Sequence, residues 1–392
     1  MVFFSDIIIY KMAGRAVHNI IWEARFMKKI IALFLALALC LGTVSALADT
    51  VKPDEIEDNM TSADGKYEIA FVTDVGDLKD KSFNEGTWNG VKLYAYEHGL
   101  SYKYYKPAND NAATDDDRYD AMKAAAEAGA KAIVAAGFMQ GVALEKAAKE
   151  YPDVKFIFID GWNMGLDNEV GVVFKEEQCG YLAGYSVVID GFEKLGFSGG
   201  GGGTNPACCR YGYGFIQGAN DAAKKLGKNV EIKFSWAYGA YFSASPDLQT
   251  LINGWYETGT EIVFACGGPM FNSITAAASA NDAFVIGVDD DQSYLSDTVL
   301  ISALKGVKEG AYQSLTKAFD GTWEAGEIVL GAAQNAVGLP METSRLESFT
   351  AEEYEAMMAD IVSGALVIDD QAAEGDPNAK GPWSNVTVDY IL

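Results

Sequence analysis

The chain has 392 residues and a net charge of −25, from 55 acidic against 30 basic side chains. So acidic a surface repels phosphate backbones and anionic headgroups, which excludes a nucleic-acid binder or a membrane-surface binder. Two histidines and five cysteines provide no material for a multi-histidine metal site, a histidine-based triad or a disulfide-stapled scaffold.

Residues 1–26 carry no organised pattern, and Met27-Lys28-Lys29, the apolar run Ile30 to Leu41 and Ala46-Leu47-Ala48 follow in the order of a secretory signal. Residues 1–48 are therefore read as an upstream extension plus signal peptide, cleaved after Ala48, with the mature protein secreted or held at the cell surface. Two alternatives stay open: an uncleaved anchor, and lipidation at Cys40, which is disfavoured because Leu39 before it is not small. The first 48 residues contribute a net +3, leaving −28 on about 344 residues, enough for two domains. Residues 49–66 are polar and read as a flexible leader.

From Tyr67 onward, short β-branched and aromatic runs alternate with amphipathic stretches, the pattern of βαβ units in a parallel sheet. Strands are expected at 68–74, 101–105, 132–136, 155–160 and 170–174, with helices at 84–98, 115–128 and 140–151. The rhythm restarts with helices at 177–189, 207–226, 247–258 and 272–280 and strands at 195–199, 230–236, 261–265 and 284–288. Then come a strand at 299–303, a helix at 307–319, an extended stretch at 328–339, a helix at 352–363, a loop at 369–380 and an edge strand within 383–392. The fold class is α/β, two doubly wound parallel-sheet lobes around a ligand cleft. Lobe 1 is 67–175, completed by about 303–392, and lobe 2 is 176–302.

Ligands of open α/β sheets bind at the carboxyl ends of the strands. Four strand ends change abruptly from apolar to polar or glycine residues: TDVGD from Thr73, IDGWN from Ile159, ACGGPMFN from Ala265 and GVDDDQ from Gly287. Taken singly, each is an ordinary turn or helix cap. Together they are expected to face one cleft. Within Thr73–Asn84 the charged middle, Asp77, Lys79, Asp80 and Lys81, reads as a solvated turn. The glycine run 199–203 lacks the Gly-Lys-Ser/Thr of a phosphate loop and reads as a flexible connection, and Cys208-Cys209 as two small residues at a helix start. Asp289 and Asp291 could serve as paired carboxylates, but nothing sets their separation.

In their order and spacing, TDVGDLKDKSFN, FIDG, ACGGPMFNS, GVDDDQSYL and ISALKGVKEGAY resemble the basic membrane protein family of extracellular solute-binding lipoproteins, whose characterised members resemble a purine nucleoside receptor. The resemblance spans Tyr67 to about Pro340. It implies a type I periplasmic-binding-protein fold serving an ABC importer, with a nucleoside held between the lobes. Transferred motif by motif, it implies that Asp74 and Asn84 bond the base, Phe83 stacks on it, and Asp160 supplies a further acceptor. Phe242, with Tyr241 as the competing choice, would cover the opposite face. Gly268 would admit the ligand to the backbone, Asp289 would accept from ribose hydroxyls and Lys305 would donate to them.

The expected protein is a monomeric nucleoside carrier, purine favoured, delivering to ABC permease and ATPase subunits without catalysis, cofactor or metal. The alternatives are an extracellular nucleoside hydrolase-type enzyme using the same carboxylates, and a ligand-sensing module for a membrane receptor.

Overall fold

A computed structural model describes residues 51–392 except Met60, Thr61, Asp74 and Gly76. The upstream extension, the signal segment and Cys40 lie outside the described residues.

The first sheet is built from β1 (Ile69–Thr73), β2 (Tyr102–Tyr105), β3 (Ala132–Ala136), β4 (Lys155–Ile159) and β5 (Glu169–Phe174), alternating with α1 (Phe83–His98), α2 (Asp115–Glu127) and α3 (Gly141–Glu150). The chain then crosses to a second sheet through α4 (Glu176–Ile189), β6 (Lys194–Gly199), α5 (Pro206–Leu226), β7 (Val230–Ser235), α6 (Pro246–Glu257), β8 (Ile262–Cys266), α7 (Met270–Ala280), β9 (Phe284–Asp289) and β10 (Val299–Lys305). It returns with α8 (Val307–Asp320) and β11 (Gly326–Leu330), and leaves again for β12 (Val337–Gly338), α9 (Ala351–Ser363) and β13 (Val386–Ile391).

The strand orders are β11-β5-β4-β3-β1-β2 and β12-β10-β9-β8-β6-β7-β13. All neighbours are parallel except β12, which runs antiparallel to β10. Helices cover both faces of each sheet, so β1, β3 and β8 are buried throughout and read as unbroken apolar runs. In the first lobe Val72, Met122, Ile133 and Phe156 pack on one side, and Phe71 stacks with Trp88 on the other. In the second, Phe197, Phe215, Phe234 and Phe264 form an aromatic centre. This is the type I periplasmic-binding-protein architecture.

Two expectations are corrected. Of the segment 303–392, only α8 and β11 complete the first lobe; β12 and β13 join β10 in the second sheet, β13 pairing with β7 from Val386 to Ile391. An apolar alternation identifies a strand but carries no information about which distant sheet edge will pair with it. The leader is not a free arm either. Lys92, 3% exposed, donates to the Ile56 carbonyl (3.1 Å) and to Asp58 Oδ1 (3.0 Å), and Tyr102 donates to the Glu57 carbonyl (2.7 Å). A buried ammonium must find acceptors, and this polar segment supplies them.

Candidate ligand-binding site

The carboxyl ends of both sheets open onto one cavity. Val75, Asp80, Phe83, Asn84, Gly137 and Asp160 come from the first lobe. From the second come Asn205, Tyr211, Phe242, Gly268, Asp289 and Lys305, with Cys208 and Cys266 in the wall behind. Of the side chains marked in the sequence, Phe83, Asn84, Asp160, Phe242, Gly268, Asp289 and Lys305 thus share one cavity. Asp74 lies outside the described residues. Tyr241 is 59% exposed and does not line the cavity, whereas its neighbour Phe242 does.

Backbone geometry aims several of these groups. Asp160, Phe242 and Asp289 have φ of 56°, 54° and 66°, in the left-handed region that non-glycine residues occupy at a cost of about 1–2 kcal/mol. For Asp160 and Asp289 the reversal falls where a strand ends, so the side chain turns into the cleft. Gly268, at φ 47°, faces only Asp80 Oδ2, 3.8 Å from where a Cβ would stand, so the two lobes approach backbone to side chain here.

Lys305 holds the lobes together electrostatically. Its Nζ lies 2.7 Å from Asp160 Oδ2 and 3.3 Å from Glu176 Oε1 at the first crossing between lobes, and Arg210 Nε binds the other oxygen of Glu176 at 2.7 Å. Burial disfavours the ammonium, but Asp160 and Glu176 outweigh it and hold the Lys305 pKa above the usual lysine range. Burial pushes the Asp160 carboxyl up to about 6, with Lys305 opposing. The ammonium also sits 5.0 Å from the centre of the Phe83 ring, so one face of that ring carries a cation.

Further bonds cross the cleft. Ser82 Oγ donates to Asp289 Oδ2 (2.6 Å), Gln292 Nε2 to the Lys81 carbonyl (3.0 Å) and Asn111 Nδ2 to Ser243 Oγ (3.0 Å), so the lobes are closed. Tyr211 donates to the second Asp289 oxygen at 3.1 Å.

The turn reading of Asp80 is overturned. Its side chain is buried, accepts from the backbone N–H groups of Ser82, Asn84 and Glu85 (each 3.0 Å) and thereby caps α1. Burial pushes its carboxyl up to about 6 against the pull of those donors. Lys79 and Lys81 do lie outward, paired with Asp58 and Glu85. The spacing Asp80-x-Ser82-x-Asn84 is a helix-cap signature that could have revealed this. Asn205 and Tyr211 were also unmarked. Asn205 caps α5 through Cys208 N (2.9 Å), with Pro206 as the first helical residue; the Asn-Pro pair announces the helix, but nothing local says that Tyr211 faces the cleft. The glycine run forms a short helical turn at Gly201–Gly203 under Phe242, and Cys208 and Cys209 are free thiols.

Two α/β lobes closed over a cavity at their strand ends define a two-lobed ligand-binding protein. The family model described as Bmp, ABC transporter substrate-binding protein PnrA-like, matches residues 67–372. The chain belongs to this family and is an ABC transporter substrate-binding protein. Among its relatives is an ABC transporter nucleoside-binding protein of Lactococcus lactis subsp. cremoris, 28% identical over 360 residues, 84% of this chain and 97% of that one. An uncharacterized lipoprotein of Pyrococcus abyssi is 27% identical over 288 residues, 70% of this chain and 69% of that one. The crystal structure of an ABC transporter solute-binding protein from Aeropyrum pernix K1 superposes with a TM-score of 0.65 at 24% identity, covering 77% of this chain and 94% of that one, and shares the fold. Among the described residues no helix is long and apolar enough to cross a membrane.

Proposed function

We propose that this protein binds a nucleoside, with a purine favoured, outside the cytoplasmic membrane, closes its lobes over it and presents it to an ABC permease driven by its ATPase. No reaction is catalysed. The observation that carries this reading is the pairing of Phe83 and Phe242, contributed by opposite lobes, with buried carboxylate and amide oxygens in one cavity. A nucleoside offers two flat faces to aromatic rings and N–H and O–H donors to acceptors, which matches that set. In this reading Asp74 and Asn84 bond the base, Asp160 accepts from the ligand, Asp289 takes ribose hydroxyls and the third N–H of Lys305 donates to a ligand oxygen. The nucleoside-binding relative supports it. So does the lipoprotein relative for the location.

Isothermal titration against a nucleoside panel tests the reading. A dissociation constant tighter than about 100 μM, roughly 5.5 kcal/mol, is expected for at least one nucleoside. Failure of every nucleoside to reach that affinity overturns the assignment, and free base released from inosine on incubation would overturn the absence of catalysis.

A further inference from the structure

Asn84 carries an amide whose orientation is imposed by its neighbours. Its Nδ2 lies 3.1 Å from the Val75 carbonyl oxygen and 3.0 Å from Asp80 Oδ2. A carbonyl can only accept, and Asp80 already accepts three backbone N–H groups, so its carboxylate has no role as a donor here. The nitrogen must face these two oxygens. Asn84 Oδ1 therefore faces away from them, and it is buried without a partner in a residue 5% exposed that lines the cavity. Asp160 repeats the arrangement at the next polar strand end. Lys305 occupies its Oδ2 at 2.7 Å, while its Oδ1 is buried and unpartnered in the same cavity.

We infer that Asp80 is a positioning residue which locks Asn84 as an obligate hydrogen-bond acceptor, so that the site selects ligands presenting N–H donors from the base and rejects otherwise similar ligands that lack them. This rests on the nucleoside reading and deepens it. Closure over a ligand without a donor leaves a buried acceptor unpaired, and a site built around buried polar groups discriminates through that penalty. Asp80 acts through Asn84. An ionised Asp80 accepts on both oxygens and, with the Val75 carbonyl, holds Asn84 Nδ2 away from the cavity, whereas an amide there has one acceptor oxygen for four N–H contacts and so weakens that hold.

The test is the ratio of affinities for inosine or adenosine, whichever binds tighter, against purine riboside, whose base carries no N–H. The wild-type protein is expected to prefer the donor-bearing nucleoside by about ten- to a hundred-fold. In Asp80→Asn that ratio falls to within about threefold of unity, and in Asn84→Leu, which removes the acceptor without touching the α1 cap, it falls likewise. A general loosening of the loop would weaken both ligands alike and leave the ratio intact. Wild-type binding of both ligand types without discrimination, or an unchanged ratio in both variants, overturns the inference while nucleoside binding stands. Absence of binding to any nucleoside overturns both.

Discussion

The two walls of the cavity differ in how far their polar groups are already committed. In the second lobe Asp289 has a donor on each oxygen, from Ser82 and Tyr211, and Asn205 Oδ1 caps α5. In the first lobe Asn84 and Asp160 each keep one buried oxygen without a partner. The first lobe is therefore a reading surface, and the second a pre-assembled wall whose bonds hold the lobes closed. Lys305, reaching from the second sheet to Asp160, joins the two functions.

The sharpest way to break this contrast is to remove the joint. Lys305→Met leaves Asp160 buried without its cation and Glu176 with Arg210 alone, and denaturant unfolding should show a loss of about 3–5 kcal/mol; a loss under about 1 kcal/mol would show that the pair does not couple the lobes. Next in size is the aromatic contribution. Phe83→Ala should weaken nucleoside binding by about 1–3 kcal/mol, the worth of one stacked base, with little change in unfolding because the ring is only half-buried at the start of α1. Ser82→Ala removes one bond across the cleft, and small-angle scattering of the ligand-free protein should show a larger open fraction, for a shift of about 1 kcal/mol. Lys79→Ala, at a side chain 61% exposed, should change neither stability nor binding by more than about 0.5 kcal/mol.

A pH scan examines the buried carboxyls outside the Lys305 pair. Burial pushes Asp80 up to about 6 and Glu169 and Glu177 up to about 7. A carboxyl with a raised folded-state pKa favours the folded protein when protonated. That contribution is complete below the usual carboxylate value near 4 and is lost as the pH rises through 6 to 7. Repulsion among the charges of a −25 chain acts in the same direction. The thermal midpoint should therefore rise on acidification from about pH 8 to about pH 5, and a midpoint that falls over that range would contradict these environments.

Much of the architecture was legible because it is local. The runs Ile69–Thr73 and Ala132–Ala136, buried on both faces, and the amphipathic stretches between them announce a parallel sheet whatever their partners. The polar strand ends at Asp160, Gly268 and Asp289 were visible as breaks in those runs. Asp80 was misread because a buried carboxylate and a solvated one have the same letter; its spacing to Ser82 and Asn84 was the local hint, and the N–H groups of Ser82, Asn84 and Glu85 distinguish the two. Tyr211 was missed for a related reason, since it sits mid-helix and its hydroxyl meets Asp289, 78 positions further on, only once the chain between them has folded.

By itself, then, the sequence determined the α/β class, the elements and the chemical kinds of group at the strand ends, because hydrophobic period and turn chemistry act over a few residues. Only the tertiary structure decided that β12 and β13 join the second sheet, that the leader neutralises Lys92, and which oxygens of Asn84 and Asp160 stay open. Those outcomes depend on pairings between distant segments, and a hydrogen bond is made or left open according to what the rest of the fold brings within about 3 Å.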